Sequence, residues 1–201
     1  MNTRVTLLYV AAAQISGMTG FGHLIVEGEN ITIAKGSSEP SQGDLLRGHL
    51  KALVNGLEDL AGQAPSGGLD HALICVHHDF LKNGLREWLP RWKLNGWRTA
   101  AKIPVSYADL WKRADSLIEQ LKRQNSGDVL IFVTEASHEH QVMTLNVAER
   151  AAKIGLDVTA IIHSAGGTNS NDRPYDGCEN DEQRLKRDLR IAAANDGSLP
   201  W

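Results

Sequence analysis

Leu81-Lys82-Asn83-Gly84-Leu85-Arg86-Glu87-Trp88-Leu89-Pro90-Arg91-Trp92-Lys93-Leu94-Asn95-Gly96-Trp97-Arg98-Thr99-Ala100 is the stretch on which the reading of the fold turns. Trp88 and Trp92 stand four residues apart and so share one face of a helix. The spacing predicts that helix over 79–95, interrupted at Pro90, which has no N–H to donate. A loop carrying Gly96-Trp97 leads out of it. The same stretch opens a basic segment. From Lys82 to Arg123 there are ten Lys and Arg against Glu87, Asp109, Asp115 and Glu119, a local charge of +6 on a chain whose net charge is -3. A basic patch on an acidic body points to a directed anionic partner rather than general stickiness.

Working outward, residues 72–76 form a continuous apolar run, as a central buried strand does. Upstream of a Gly/Pro/Ser loop at 62–68, Leu46, Leu50, Leu53, Val54, Leu57 and Leu60 recur at helical spacing over 44–60, with Ser41 as the expected N-cap. The first 36 residues read as a three-stranded meander, 5–13, 20–27 and 31–35, with turns at Ser16-Gly17 and Glu29-Asn30. Downstream come a helix at 107–124, a strand at 129–134, a helix at 140–154, a strand at 158–163, a Gly/Ser/Asn/Asp-rich loop at 164–176 and a charged helix at 179–195. The order is β-β-β-α-β-α-α-α-β-α followed by β-α, which belongs to an α/β domain with a mixed sheet.

Composition excludes several classes. With 42% hydrophobic and 22% charged residues the chain is that of a globular domain, and no apolar run approaches the length of a membrane span. Cys75 and Cys178 lie far apart, Cys75 in an apolar run, which argues against a disulfide framework and for a reducing, cytoplasmic setting. Arg4 and the run 5–13 imitate a short signal peptide, but the run is rich in strand formers and feeds a second strand. No nucleophile elbow supports a triad built from Ser106, Ser137 or His138. Ala165-Gly166-Gly167-Thr168 lacks the lysine of a phosphate-binding loop and reads as a linker.

The quoted stretch, continued through Lys102, Pro104-Val105 and Asp109-Leu110-Trp111-Lys112-Arg113, resembles the basic protrusion of bacterial-type ribonuclease HI. The match runs over 77–113 without a gap. Gly20-Phe21-Gly22 and Ala148–Ala152 look like the same family, and the resemblance covers about 4–153. It implies a ribonuclease H-like α/β fold, a five-stranded mixed sheet flanked by helices, here with a C-terminal β-α extension. It divides the chain into a domain at 1–153 and an extension at 154–201 that has no counterpart in the family.

The resemblance also implies a chemistry. Family enzymes hold two Mg²⁺ ions with four carboxylates, because two hard cations need several anionic oxygens between them. At those four positions this chain carries Val10, His49, His77 and Asn146. A slip of one residue brings in Tyr9, Ala11, Gly48 or His78, and Asp44 and Asp79 each need a break in register. His138 and His140 are candidates for the family's histidine loop. The expectation is therefore a pseudoenzyme with no catalytic residues and no cofactor. It keeps a nucleic-acid-binding face of Lys82, Arg86, Trp88, Arg91, Trp92, Lys93, Trp97, Arg98 and Lys102, with an RNA/DNA hybrid or a duplex as partner. Against that stands the reading of the tryptophans as packing residues, Trp111 above all, and of the Lys and Arg as a solvated face.

Two alternatives stay open at this point. One is a protein-interaction module that docks through 154–201, in particular the charged helix 181–194. The other is a nuclease rebuilt around Zn²⁺ or a similar ion, with His49 and His77 as ligands, since imidazoles suit transition metals and not Mg²⁺.

Overall fold

A computed structural model describes residues 5–62, 71–124, 129–133, 139–155 and 158–159. The chain divides into two compact units, Met1–Ile162 and His163–Trp201, and every described residue belongs to the first. The predicted loop at 164–176 and helix at 179–195 lie outside the described residues.

Three strands, β1 (Val5–Ile15), β2 (Met18–Glu27) and β3 (Asn30–Pro40), form the antiparallel meander. Ser16 and Gly17 both take positive φ, +50° and +78°, which gives the turn between β1 and β2 the twist a tight hairpin needs. All three strands run longer than their apolar cores predict. β3 continues through Gly36, Ser37 and Ser38 because its backbone pairs with Gly22, Phe21 and Gly20 of β2, and main-chain pairing asks nothing of those side chains. The next strand, β4 (His71–Val76), pairs parallel with β1, and β5 (Val129–Val133) pairs parallel with β4. A two-residue β6 (Val158–Thr159) pairs antiparallel with β3 at Lys35 and Gly36, so the order across the mixed sheet is β5-β4-β1-β2-β3-β6.

Helix α1 (Leu45–Gly62) begins at a cap other than the expected one. Asp44 accepts the Leu46 N–H through Oδ1 at 2.8 Å, while Ser41 Oγ accepts from Gly43 N in the preceding turn. Asp44 stands directly before the first helical residue, where a side-chain oxygen reaches the second N–H of the helix; Ser41 is too far back. α1 packs its Leu50, Leu53, Leu57 and Leu60 with Leu8, Val10, Ile25 and Ile74 of the sheet. α4 (Ala108–Gln124) adds Trp111, Ala114, Leu117 and Leu121 to that core. α5 (Glu139–Ile154) covers the opposite face of the sheet, where Gly20 admits it: a Cβ there would lie 1.9 Å from the Ala148 carbonyl oxygen.

The predicted break at Pro90 takes another form. α2 (Asp79–Asn83) runs through one π-helical turn, Gly84–Trp88, into α3 (Leu89–Leu94), so the helix widens ahead of the proline and continues past it. Leu89 N–H reaches back five residues to the Gly84 carbonyl, a π-type bond, just before the residue that has no N–H. Arg98 and Pro104 then bridge across a short loop, held by Trp97 N to the Trp92 carbonyl at 2.7 Å, Val105 N to the Trp97 carbonyl at 3.1 Å and Thr99 N to the Ile103 carbonyl at 2.8 Å.

Candidate functional site

The parallel pairing of β1 with β4 ends at Val10 and Val76, and the next residues, His77 and His78, leave the sheet there. A pocket of about 420 Å³ opens at that end. Ala11 and Ala12 of β1 line it with His49 of α1, His77 and His78, Asp79 and Phe80 of the first turn of α2, and Gln141 and Leu145 of α5. The structure therefore brings together two of the four expected positions, His49 and His77. It does not bring the others. Val10 is buried in the sheet beneath the pocket, where its carbonyl accepts from Gln141 Nε2 at 3.3 Å. Asn146 is exposed on α5 outside the pocket lining, because the helix turns Gln141 and Leu145, four residues apart, toward the pocket instead. His140 packs its ring 5.3 Å from that of Tyr9. His138 lies outside the described residues.

Two of the pocket's imidazoles, His49 and His78, are held below the ordinary histidine range. Burial pushes the His49 imidazole down to about 3, helped by the neighbouring His78 and His77 and opposed only by Asp44. Its Nδ1 is buried without a hydrogen-bond partner. His78 is also lowered by burial, against the pull of Asp79 and Asp44, and its ring lies 4.6 Å from that of His49. His78 Nδ1 caps α2 by accepting from Leu81 N at 3.4 Å. The one carboxylate of the lining, Asp79, is held low by Lys82, whose Nζ is 3.0 Å from Oδ1. Among the described residues no three His, Cys, Asp or Glu side chains converge where a metal ion could be held. The two adjacent imidazoles do not by themselves make a transition-metal site.

Helices α2 and α3 leave the pocket and, with the bridged loop after them, carry the basic segment. Arg86, Arg91, Lys93, Arg98 and Lys102 are exposed, and Lys82 is half-buried beside Asp79. Lys93 is paired with Asp115 at 2.9 Å, and Arg98 Nη1 donates to the Lys102 carbonyl at 2.8 Å. The aromatic rings form a ladder: Phe80 to Trp88 at 4.7 Å, Trp88 to Trp92 at 5.8 Å and Trp92 to Trp111 at 5.2 Å. Trp92 is only 8% exposed and Trp111 wholly buried, so the Trp92 ring is committed to the core and presents no face to a ligand. Helical spacing puts Trp92 on the inner side, against Trp111. Trp88 and Trp97 are half-buried, and Lys112 Nζ lies 5.5 Å over the Trp97 ring. Phe80, Gln141 and Leu145 are not legible as pocket residues in the sequence. Only the four-residue interval of the last two on a helix links them.

No protein-family model matches the chain. Over 74 residues it is 40% identical to a ribonuclease H of Neisseria meningitidis serogroup C, which is 37% of this chain and 47% of that protein. The chain thus spans about half the length of the curated relatives it matches. Among solved structures it is similar to LC9-RNase H1, a type 1 RNase H with the type 2 active-site motif, with a TM-score of 0.61 at 16% identity over 80% of this chain and 79% of that one. It is also similar to LC11-RNase H1 in complex with an RNA/DNA hybrid, with a TM-score of 0.53 at 12% identity over 74% of this chain and 97% of that one.

Proposed function

We propose, for a chain that belongs to the ribonuclease H-like family, that it binds an RNA/DNA hybrid or another duplex through the basic segment of α2, α3 and the loop after them and does not cut it by the two-metal route. The observation that carries this reading is the set of exposed cations of one segment, Arg86, Arg91 and Lys93 on helices anchored in the core by Trp92 and Arg98 and Lys102 in the bridged loop that follows, with Lys93 also paired to Asp115. Cations clustered on one anchored segment neutralise phosphates and release condensed counterions when they bind. The similar LC11-RNase H1 was solved with an RNA/DNA hybrid, which supports the choice of ligand. In this reading residues 1–153 are the binding module and 154–201 an extension, whose first strand, β6, borders β3.

The pocket side chains do not fit a pair of Mg²⁺ ions. Such ions take oxygen ligands, whereas His49, His77 and His78 offer imidazole nitrogen and the lone lining carboxylate, Asp79, is engaged by Lys82. Val10, at the end of the pairing of β1 with β4, has no donor side chain. No hydrolytic step through Mg²⁺ follows from these residues.

The test is fluorescence anisotropy of the full chain with labelled RNA/DNA hybrid, double-stranded RNA and double-stranded DNA, with and without Mg²⁺, followed by gel analysis of the same samples. The expected result is binding that needs no Mg²⁺ and leaves the strands intact. Cleavage that appears with Mg²⁺ overturns the silent-site reading. Absence of binding to every duplex overturns the basic-face reading.

A further inference from the structure

The pocket at the end of β1 and β4 is lined for a ligand that the exposed cations alone do not explain. Its walls are rings and aliphatic groups: the adjacent His49 and His78, Phe80 at 41% exposure, Leu145 at 38%, and the small Ala11 and Ala12. Burial disfavours the charged forms of His49 and His78, and the nearby Lys82 ammonium is already engaged by Asp79 at the rim, so these groups offer an entering phosphate no free cation. A flat, uncharged heteroaromatic group meets the opposite situation. Its faces lie against Phe80 and the imidazoles, and its ring nitrogens and exocyclic groups meet the rings of His49 and His78, which in the neutral form donate from one nitrogen and accept at the other, His78 Nδ1 being taken by Leu81 N. At about 420 Å³ the space is at the small end of ligand sites, the size for one such group and not for a helix.

The location supplies the second half of the argument. Asp79 and Phe80 are the first turn of the helix that carries Lys82 and leads through Arg86 to Arg91, and Phe80 meets Trp88 edge-on at 4.7 Å. The mouth of the pocket is therefore continuous with the basic face. We infer that the pocket receives one unstacked base, from a bulge or a single-stranded nucleotide of the nucleic acid held by that face. This inference rests on the binding reading above and adds to it a preference for interrupted over continuous duplexes.

The experiment compares three RNA/DNA hybrids with the full chain: fully paired, carrying one bulged adenine, and carrying an abasic residue at the same bulge. The adenine bulge is expected to bind about 5-fold or more tighter than the paired hybrid, the lower end of what stacking one base on an aromatic side chain contributes. The abasic bulge, which bends as easily but has no base, is expected to fall back to the affinity of the paired hybrid. With 2-aminopurine as the bulged base, its fluorescence is expected to drop on binding as it stacks. Phe80→Ala is expected to bring the ratio of bulged to paired affinity to about one, and Phe80→Tyr to keep it. If all three hybrids bind equally, or the abasic bulge binds as well as adenine, the pocket does not take a base and the basic-face reading stands. If Phe80→Ala keeps the full preference, the base is held elsewhere and the assignment to this pocket is wrong. If none of the hybrids binds, both readings fall together.

Discussion

His49 is the most strongly perturbed titratable group of the pocket, and the consequence is a pH dependence with a definite sign. In the unfolded chain its imidazole takes up a proton near pH 6.5, whereas in the folded chain it does so only at about 3. Between those values the unfolded state binds more protons, so the stability present above pH 6.5 is lost as the pH falls toward 3. The slope from this one residue is about 1.4 kcal/mol per pH unit inside that window. Urea denaturation at several pH values between about 7.5 and 4 is expected to show it, and His49→Gln to flatten it. A second residue-scale prediction concerns Asp59 of α1. Its carboxylate accepts from His23 Nε2 on β2 and from Lys35 Nζ on β3, both at 2.8 Å, and the His23 ring is buried. Asp59→Leu leaves that buried ring without its partner and is expected to cost about 1–3 kcal/mol in chemical denaturation.

At the scale of elements, two glycines decide how closely helices approach their neighbours. A Cβ on Gly84, inside the π-helical turn, would lie 2.3 Å from the Trp111 ring, which is itself fully buried. Gly84→Ala is expected to destabilise by about 1–3 kcal/mol, the range of overpacking in a core, and to shift tryptophan emission as Trp111 and Trp92 are displaced. A Cβ on Gly20 meets backbone, the Ala148 carbonyl at 1.9 Å, and backbone in the middle of a helix yields less than a side chain does. Gly20→Ala is therefore expected to lower Tm further than Gly84→Ala does, by forcing α5 away from the sheet. Sequence periodicity identifies most of these elements. It misses the π turn, because apolar spacing does not record which carbonyl a given N–H reaches. It misplaces the cap of α1, because Ser41 and Asp44 are both capping residues and only backbone geometry chooses between them.

For the molecule as a whole, charge is divided rather than balanced. The chain is acidic, with a net charge of -3, yet 82–123 holds +6. Binding to a duplex is expected to weaken steeply with salt despite the overall sign. Replacing Arg86, Arg91 and Lys102 by Gln is expected to reduce the slope of log K against log salt by up to about one unit for each phosphate no longer neutralised. Anisotropy titrations across a series of salt concentrations measure it, and an unchanged slope removes these residues from the interface. Among the described residues no helix is long and apolar enough to cross a membrane.

The sequence by itself determined the class of fold, the order of the elements among the described residues and the segment that carries the exposed cations, because each of these is written in local spacing: strand-length apolar runs, helical intervals of leucine, and a gapless run of tryptophans and cations. The family resemblance also put His49 and His77 in one place, and both line the pocket. Only the tertiary structure decided which side of α5 faces the pocket, replacing Asn146 by Gln141 and Leu145, and which tryptophan points inward, removing Trp92 from the surface. Both depend on the rotation of a helix about its own axis. That rotation is fixed by packing against residues far away in the chain, such as Val10 beneath Gln141, and is invisible in the local pattern.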